Sequence, residues 1–194
     1  MNMKKLILSI LGVIVSQACF ASSVTVDLGT TAGYTPYDRY MSPVKHVLSH
    51  LSGSTSPAMD KVRQLMAQGR NFRYSFTTPY TAATPEVTAQ LHAGDCKAKS
   101  LWLADQLNDP SIRFVIGRAR SSSKISHAWL MMKDEGRWWI LDCTNTNQPI
   151  AADRINPNRE YIPLYSFSKD GSYRHHATEM SIASNMSGYT VASH

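Results

Sequence analysis

Ser126-His-Ala-Trp-Leu-Met-Met-Lys-Asp-Glu-Gly-Arg-Trp-Trp-Ile-Leu-Asp-Cys143 holds two apolar and aromatic runs, Ala128–Met132 and Trp138–Asp142, joined through Asp134-Glu135-Gly136. Runs of this length on either side of a short polar turn containing glycine read as a β-hairpin. Working outward, Ile112–Ala119 is β-branched and aromatic enough for a third strand, and Tyr161–Ser168 and Tyr173–Ala177 are placed to extend the sheet. Upstream the period changes. Cys96–Leu107 is helical in composition and apolar on most sides, which predicts a buried central helix. Ser42-Pro43 opens a helix whose apolar face is Val44, Val47, Leu48 and Leu51, ending at Gly53. Ser56-Pro57 opens a second, with Val62, Leu65 and Met66 on one face and Gly69 placed to end it in a left-handed conformation. Residues 22–41 and the Pro- and Thr-rich residues 70–90 read as irregular chain. Helices first and strands later predict an α+β fold, with the helix that carries Cys96 packed on an antiparallel sheet.

The hairpin also brings chemistry together. With a two-residue loop at Asp134-Glu135, His127 and Asp142 stand directly opposite and project from one face, within about 5.5 Å at Cβ. A four-residue loop keeps them on that face, and a three-residue loop separates them unless a bulge restores the phase. Cys143 follows Asp142 and must point to the other face.

Gly94-Asp95-Cys96-Lys97-Ala98 sets a cysteine where loop becomes helix, with Asp95 as a good N-cap. The unpaired N–H groups and the positive end of the helix dipole at such a place favour thiolate over thiol, which suits a nucleophile. Each residue has a bland reading when taken singly: an inert buried cysteine, a strand-edge histidine, a turn-capping carboxylate. Jointly they allow Asp142 to orient one ring nitrogen of His127 while the other faces Cys96. A Cys96–Cys143 disulfide is the competing arrangement, and strand parity makes it incompatible with that triad.

Gly94-Asp95-Cys96, Ser126-His127-Ala128-Trp129 and Gly136-Arg137-Trp138-Trp139-Ile140-Leu141-Asp142-Cys143-Thr144 resemble the transglutaminase-like superfamily, particularly its bacterial cysteine peptidases. The resemblance covers about residues 90–146. It implies a papain-like core and a catalytic triad of Cys96, His127 and Asp142 acting through a thioester acyl-enzyme. It also makes Gln90, six residues before the cysteine, a candidate for the oxyanion site beside the backbone N–H of Cys96. Animal transglutaminases carry a tryptophan well upstream of the cysteine, whereas here the tryptophans are 102, 129, 138 and 139. Hydrolysis by a peptidase or amidase is therefore expected, with protein crosslinking as the alternative. A non-catalytic envelope module holding a Cys96–Cys143 disulfide is the reading from a different class.

Composition narrows the setting. Lys4 and Lys5 precede an apolar run from Leu6 to Val15 and a small-residue stretch to Ser23, the pattern of a secretory signal peptide with cleavage after Ala21, or second after Ala18. A membrane span needs about 20 apolar residues and this run is shorter. Cys19 would leave with the signal, and Gln17 speaks against lipidation there. Residues 22–194 are long enough for one domain. With the two lysines gone, 18 basic residues face 14 acidic ones, a net charge of +4. They are scattered without a basic block, so nucleic acid is not an expected partner; a protein or peptide in the cell envelope is. His175-His176 and Cys143 lack metal-ligand spacing, and no metal or cofactor is expected. The predicted setting is periplasmic or secreted.

Overall fold

The computed structural model describes residues 24–178, so the expected signal peptide and Cys19 lie outside the described residues. In chain order the elements are β1 (Thr30–Thr31), α1 (Ser42–His50), α2 (Met59–Asn71), β2 (Arg73–Tyr74), α3 (Pro85–Leu91), β3 (Ala93–Gly94), α4 (Cys96–Leu107), β4 (Arg113–Arg120), β5 (His127–Asp134), β6 (Arg137–Leu141), β7 (Ile150–Ala151), β8 (Glu160–Ser168) and β9 (Gly171–Arg174). Seven strands form one antiparallel sheet in the order β1-β9-β8-β4-β5-β6-β7, and β2 and β3 make a separate parallel pair. This is the α+β arrangement expected.

The helices cover one face of the sheet. Val44 and Leu48 of α1, Val62, Leu65 and Met66 of α2, and Leu101, Trp102, Leu103 and Leu107 of α4 are buried with Phe114, Ile116, Ala128, Leu130, Met132 and Leu141 from the strands. A smaller cluster of Val115, Trp129, Met131 and Ile140 occupies the other face, covered in part by Val26 and Leu28 from the start of the described chain. From Cys96 to Ala104 every residue of α4 is buried, Lys97, Lys99 and Ser100 included, and only Asp105 and Gln106 near its end are exposed. Its polar groups are satisfied locally: Lys99 Nζ donates to the Phe72 carbonyl at 2.6 Å and Ser100 Oγ to the Ala128 carbonyl at 3.2 Å.

Several expectations need correction. The Met59–Asn71 helix starts after Pro57 and runs through Gly69, which is there for packing. A Cβ at Gly69 would lie 2.9 Å from both Cys143 Sγ and the Trp102 ring, so only glycine lets α2 approach α4 this closely. Residues 70–90 are not all loop: Thr84 caps α3 by accepting from Val87 N, and Pro85 takes the first turn. The hairpin turn is Glu135-Gly136, one residue later than expected, with φ of 47° and 82° as a type I′ turn requires. Asp134 therefore pairs with Arg137 and Leu130 with Leu141, which sets His127 diagonal to Asp142 rather than opposite, still on one face.

Candidate active site

Cys96 is the first residue of α4. The Asp95 side chain accepts from Ala98 N at 3.2 Å, and its carbonyl accepts from Lys99 N at 2.9 Å, so the helix start is fixed from both ends of one residue. The other carboxylate oxygen of Asp95 receives Thr77 N at 3.2 Å and Thr77 Oγ1 at 3.0 Å, and forms an ion pair with Lys97 Nζ. Lys97 is 1% exposed; its ammonium also donates to the Thr77 carbonyl and hydroxyl at 3.3 Å and lies beneath the rings of Phe76 and Tyr80. A buried charge pair is tolerated only when its remaining hydrogen-bonding positions are filled, and Thr77 fills them. Residues 76–80 are thereby fastened over the start of α4.

His127, at the first position of β5, donates from Nε2 to Asp142 Oδ2 at 2.8 Å, and Cys96 lies close enough to its ring to contribute to the shift of its pKa. With Nε2 committed to the carboxylate, Nδ1 is the nitrogen left for the thiol. The structure thus brings together the three residues singled out in the sequence. Gln90 is exposed on α3 and takes no part in this network. Among the described residues, no group of three or more His, Cys, Asp or Glu is placed to hold a metal ion.

Asp142 has 0% side-chain exposure and collects further donors: Asn145 Nδ2 at 2.8 Å and the Tyr161 hydroxyl at 3.1 Å on Oδ2, Thr144 N at 3.0 Å and Asn145 N at 3.3 Å on Oδ1. Burial opposes its charge, yet His127 and these donors hold its carboxyl below the ordinary range. For His127 burial again works against the charged ring, and Asp142 and Cys96 outweigh it, raising the pKa to about 9.

Asn145 and Tyr161 escaped the sequence reading. Asn145 had a faint signal, since Asp142-Cys-Thr-Asn145 can close an Asx turn. Tyr161 had none, because it arrives from β8, nineteen residues on. It holds φ +45°, unusual for a bulky residue, close to the register shift opposite Ile116 and Gly117. Its ring meets Trp129 edge-on at 5.4 Å.

Both described cysteines are free. Cys143 lies against the helices, its Sγ 3.6 Å from the Lys99 carbonyl, and burial followed by the nearby Asp142 charge pushes its thiol up to about 12.

No family model matches the chain, and no curated protein matches it. Among solved structures, Legionella pneumophila LapG in its calcium-bound form aligns at 18% identity and a TM-score of 0.48, over 66% of this chain and 74% of that one. The EGTA-treated form aligns at 17% identity and 0.48, over 69% and 74%. A candidate cysteine protease from Cytophaga hutchinsonii aligns at 18% identity and 0.39, over 59% and 43%. Likenesses this distant assign no family, and the chemistry of the site rests on its own side-chain geometry.

Proposed function

We propose that this chain is a cysteine hydrolase of the transglutaminase-like type, a peptidase or amidase, with Cys96 as nucleophile, His127 as acid and base, and Asp142 as the residue that orients His127. The observation that supports it best is the His127 ring held at 2.8 Å by a buried carboxylate on one nitrogen, with Cys96 close enough to influence the ring. In the reaction the Cys96 thiolate adds to the substrate carbonyl carbon, forming the C–S bond as the π pair moves to oxygen. The adduct collapses, the C–N bond breaks, and the amine leaves with the proton from His127. Water then attacks the thioester while His127 takes its proton; the C–S bond breaks, the acid product departs and the thiolate–imidazolium pair is restored. Asp142 stays ionised throughout and keeps the ring in the useful orientation.

The setting belongs to the same proposal: residues 1–21 direct export, and the substrate is a protein or peptide of the cell envelope. Among the described residues no helix is long and apolar enough to cross a membrane. The test is to incubate envelope extract with the wild-type chain or with Cys96→Ala and to map new amino termini by mass spectrometry. Termini that appear only with the wild type are expected. Identical profiles from both proteins would sink the assignment.

A further inference from the structure

Tyr161 is a residue that the triad leaves without a role, and the sheet departs from regularity to place it. Ile116 of β4 pairs with Tyr165 of β8, but Gly117 pairs with Pro163, so β8 carries one extra residue at this point. Residues four apart on a regular strand share a face; here Tyr165 packs with the helices and Tyr161 with the cluster on the opposite face. Tyr161 also takes a φ of +45°, a conformation that a bulky residue keeps only where its surroundings impose it, and such positions concentrate at functional sites. Gly117 makes room for its neighbour, since a Cβ there would lie 2.7 Å from the Trp129 ring. Trp129 in turn meets both partners of the network, Tyr161 edge-on at 5.4 Å and His127 nearly parallel at 6.1 Å. The outcome is a hydroxyl that donates at 3.1 Å to Asp142 Oδ2, the same oxygen that accepts from His127 Nε2 at 2.8 Å.

Donors on one oxygen share its charge. Resting on the hydrolase reading, we infer that Tyr161 is a positioning residue of the triad: its hydroxyl draws off part of the charge on Asp142 Oδ2 and so limits how tightly that oxygen holds the His127 proton. A ring held too tightly stays protonated and cannot take the proton of water when the thioester is hydrolysed. The phenol itself keeps its proton, because burial, and next the Asp142 charge, push its pKa above the ordinary tyrosine value. Other charged or titratable groups act on the same network: Cys96 and Lys99 from α4, Cys143 beside Asp142, Arg120 from β4 and Glu160 from β8. Tyr161→Phe leaves each of them unchanged.

The sign of one shift makes the test. Tyr161→Phe removes the hydroxyl and keeps the ring against Trp129. In the full chain the NMR titration midpoint of His127, its signal assigned by its loss in His127→Gln, is expected to rise by about half a pH unit over wild type. Release of acetyl from enzyme acylated with p-nitrophenyl acetate requires the neutral ring, so the acid limb of its pH profile is expected to move up in step. If the hydroxyl only supported packing, its loss would loosen the Asp142–His127 bond and the midpoint would move down, toward the ordinary histidine value. A midpoint that falls or stays overturns the inference, as does a limb that does not follow it. Mass spectrometry that finds no acetyl group on Cys96 of the wild type overturns the nucleophile assignment itself, and the role of Tyr161 with it, whatever the titration gives.

Discussion

A carboxylate with five donors has little freedom left, and Asp142 is in that position. Asp142→Asn keeps the volume but offers His127 an amide that can hold the wrong tautomer. The expected outcome is a folded protein whose acylation by p-nitrophenyl acetate falls by about three to four orders of magnitude, against near-normal thermal melting. Wild-type kinetics in that variant would remove Asp142 from the mechanism. The same pair makes stability depend on pH in a defined direction. His127 has a folded pKa of about 9 against an ordinary 6.5, so its contribution is fully present below pH 6.5 and is lost as pH rises through 9. The urea midpoint should therefore drop between pH 6 and pH 9.5, by about 2–3 kcal/mol of unfolding free energy. His127→Gln should flatten that drop; an equally steep fall in the variant would show that other groups cause it.

Secondary-structure elements set these residues in place, and their interlocking is tight at Gly69. In an exposed helix Gly→Ala gains about 1 kcal/mol of helix propensity. Here the new methyl meets Cys143 and Trp102 at 2.9 Å, and overpacking of that kind costs about 1–3 kcal/mol. Gly69→Ala is thus expected to be destabilising on balance in a urea titration, and a stabilised variant would contradict the α2–α4 packing described. The sequence showed much of this level plainly. The Cys96–Leu107 helix, with Asp95 as its cap, and the β5–β6 hairpin were legible because capping chemistry and local alternation are written in adjacent residues. The α3 helix was missed although Thr84-Pro85-Glu86 carries proper start signals, because Pro79 and the threonines around it suggested loop. The hairpin turn was misplaced by one residue, yet His127 and Asp142 stayed on one face because strand side chains alternate strictly. What the sequence could not show was assembly across distance: Tyr161 on Asp142 from β8, and Lys97 buried against Thr77 twenty residues earlier.

The whole molecule is a sheet with unequal faces, the helices on one and a thin cover on the other that includes the segment from Val26 to Leu28. That segment is tied down by Arg113 Nη1 donating to the Leu28 carbonyl at 2.6 Å, and by Asp27, which accepts from Gly29 N and His176 N and lies 3.4 Å from the buried His175. Burial opposes the Asp27 charge, but these partners win and lower its pKa to about 2 from 3.8. The stabilisation it gives is present above pH 3.8 and fades as pH falls through 2. Asp27→Asn should lower the melting temperature at pH 7 and narrow the gap to wild type at pH 2, and a gap independent of pH would separate Asp27 from the acid response. The direction taken by Cys143 reaches further, into how the protein withstands oxidants. Of the two described thiols, Cys96 opens α4 near His127 and Cys143 is sealed among helices with its sulfur turned to the Lys99 carbonyl. Among the described residues a sulfenic acid formed on Cys96 therefore has no second thiol to condense with, and a small thiol from outside can return it before it passes to the irreversible sulfinic acid. Peroxide should leave oxygen adducts on Cys96 and no Cys96–Cys143 crosslink, so that recovery of this thiol depends on a reductant supplied from outside.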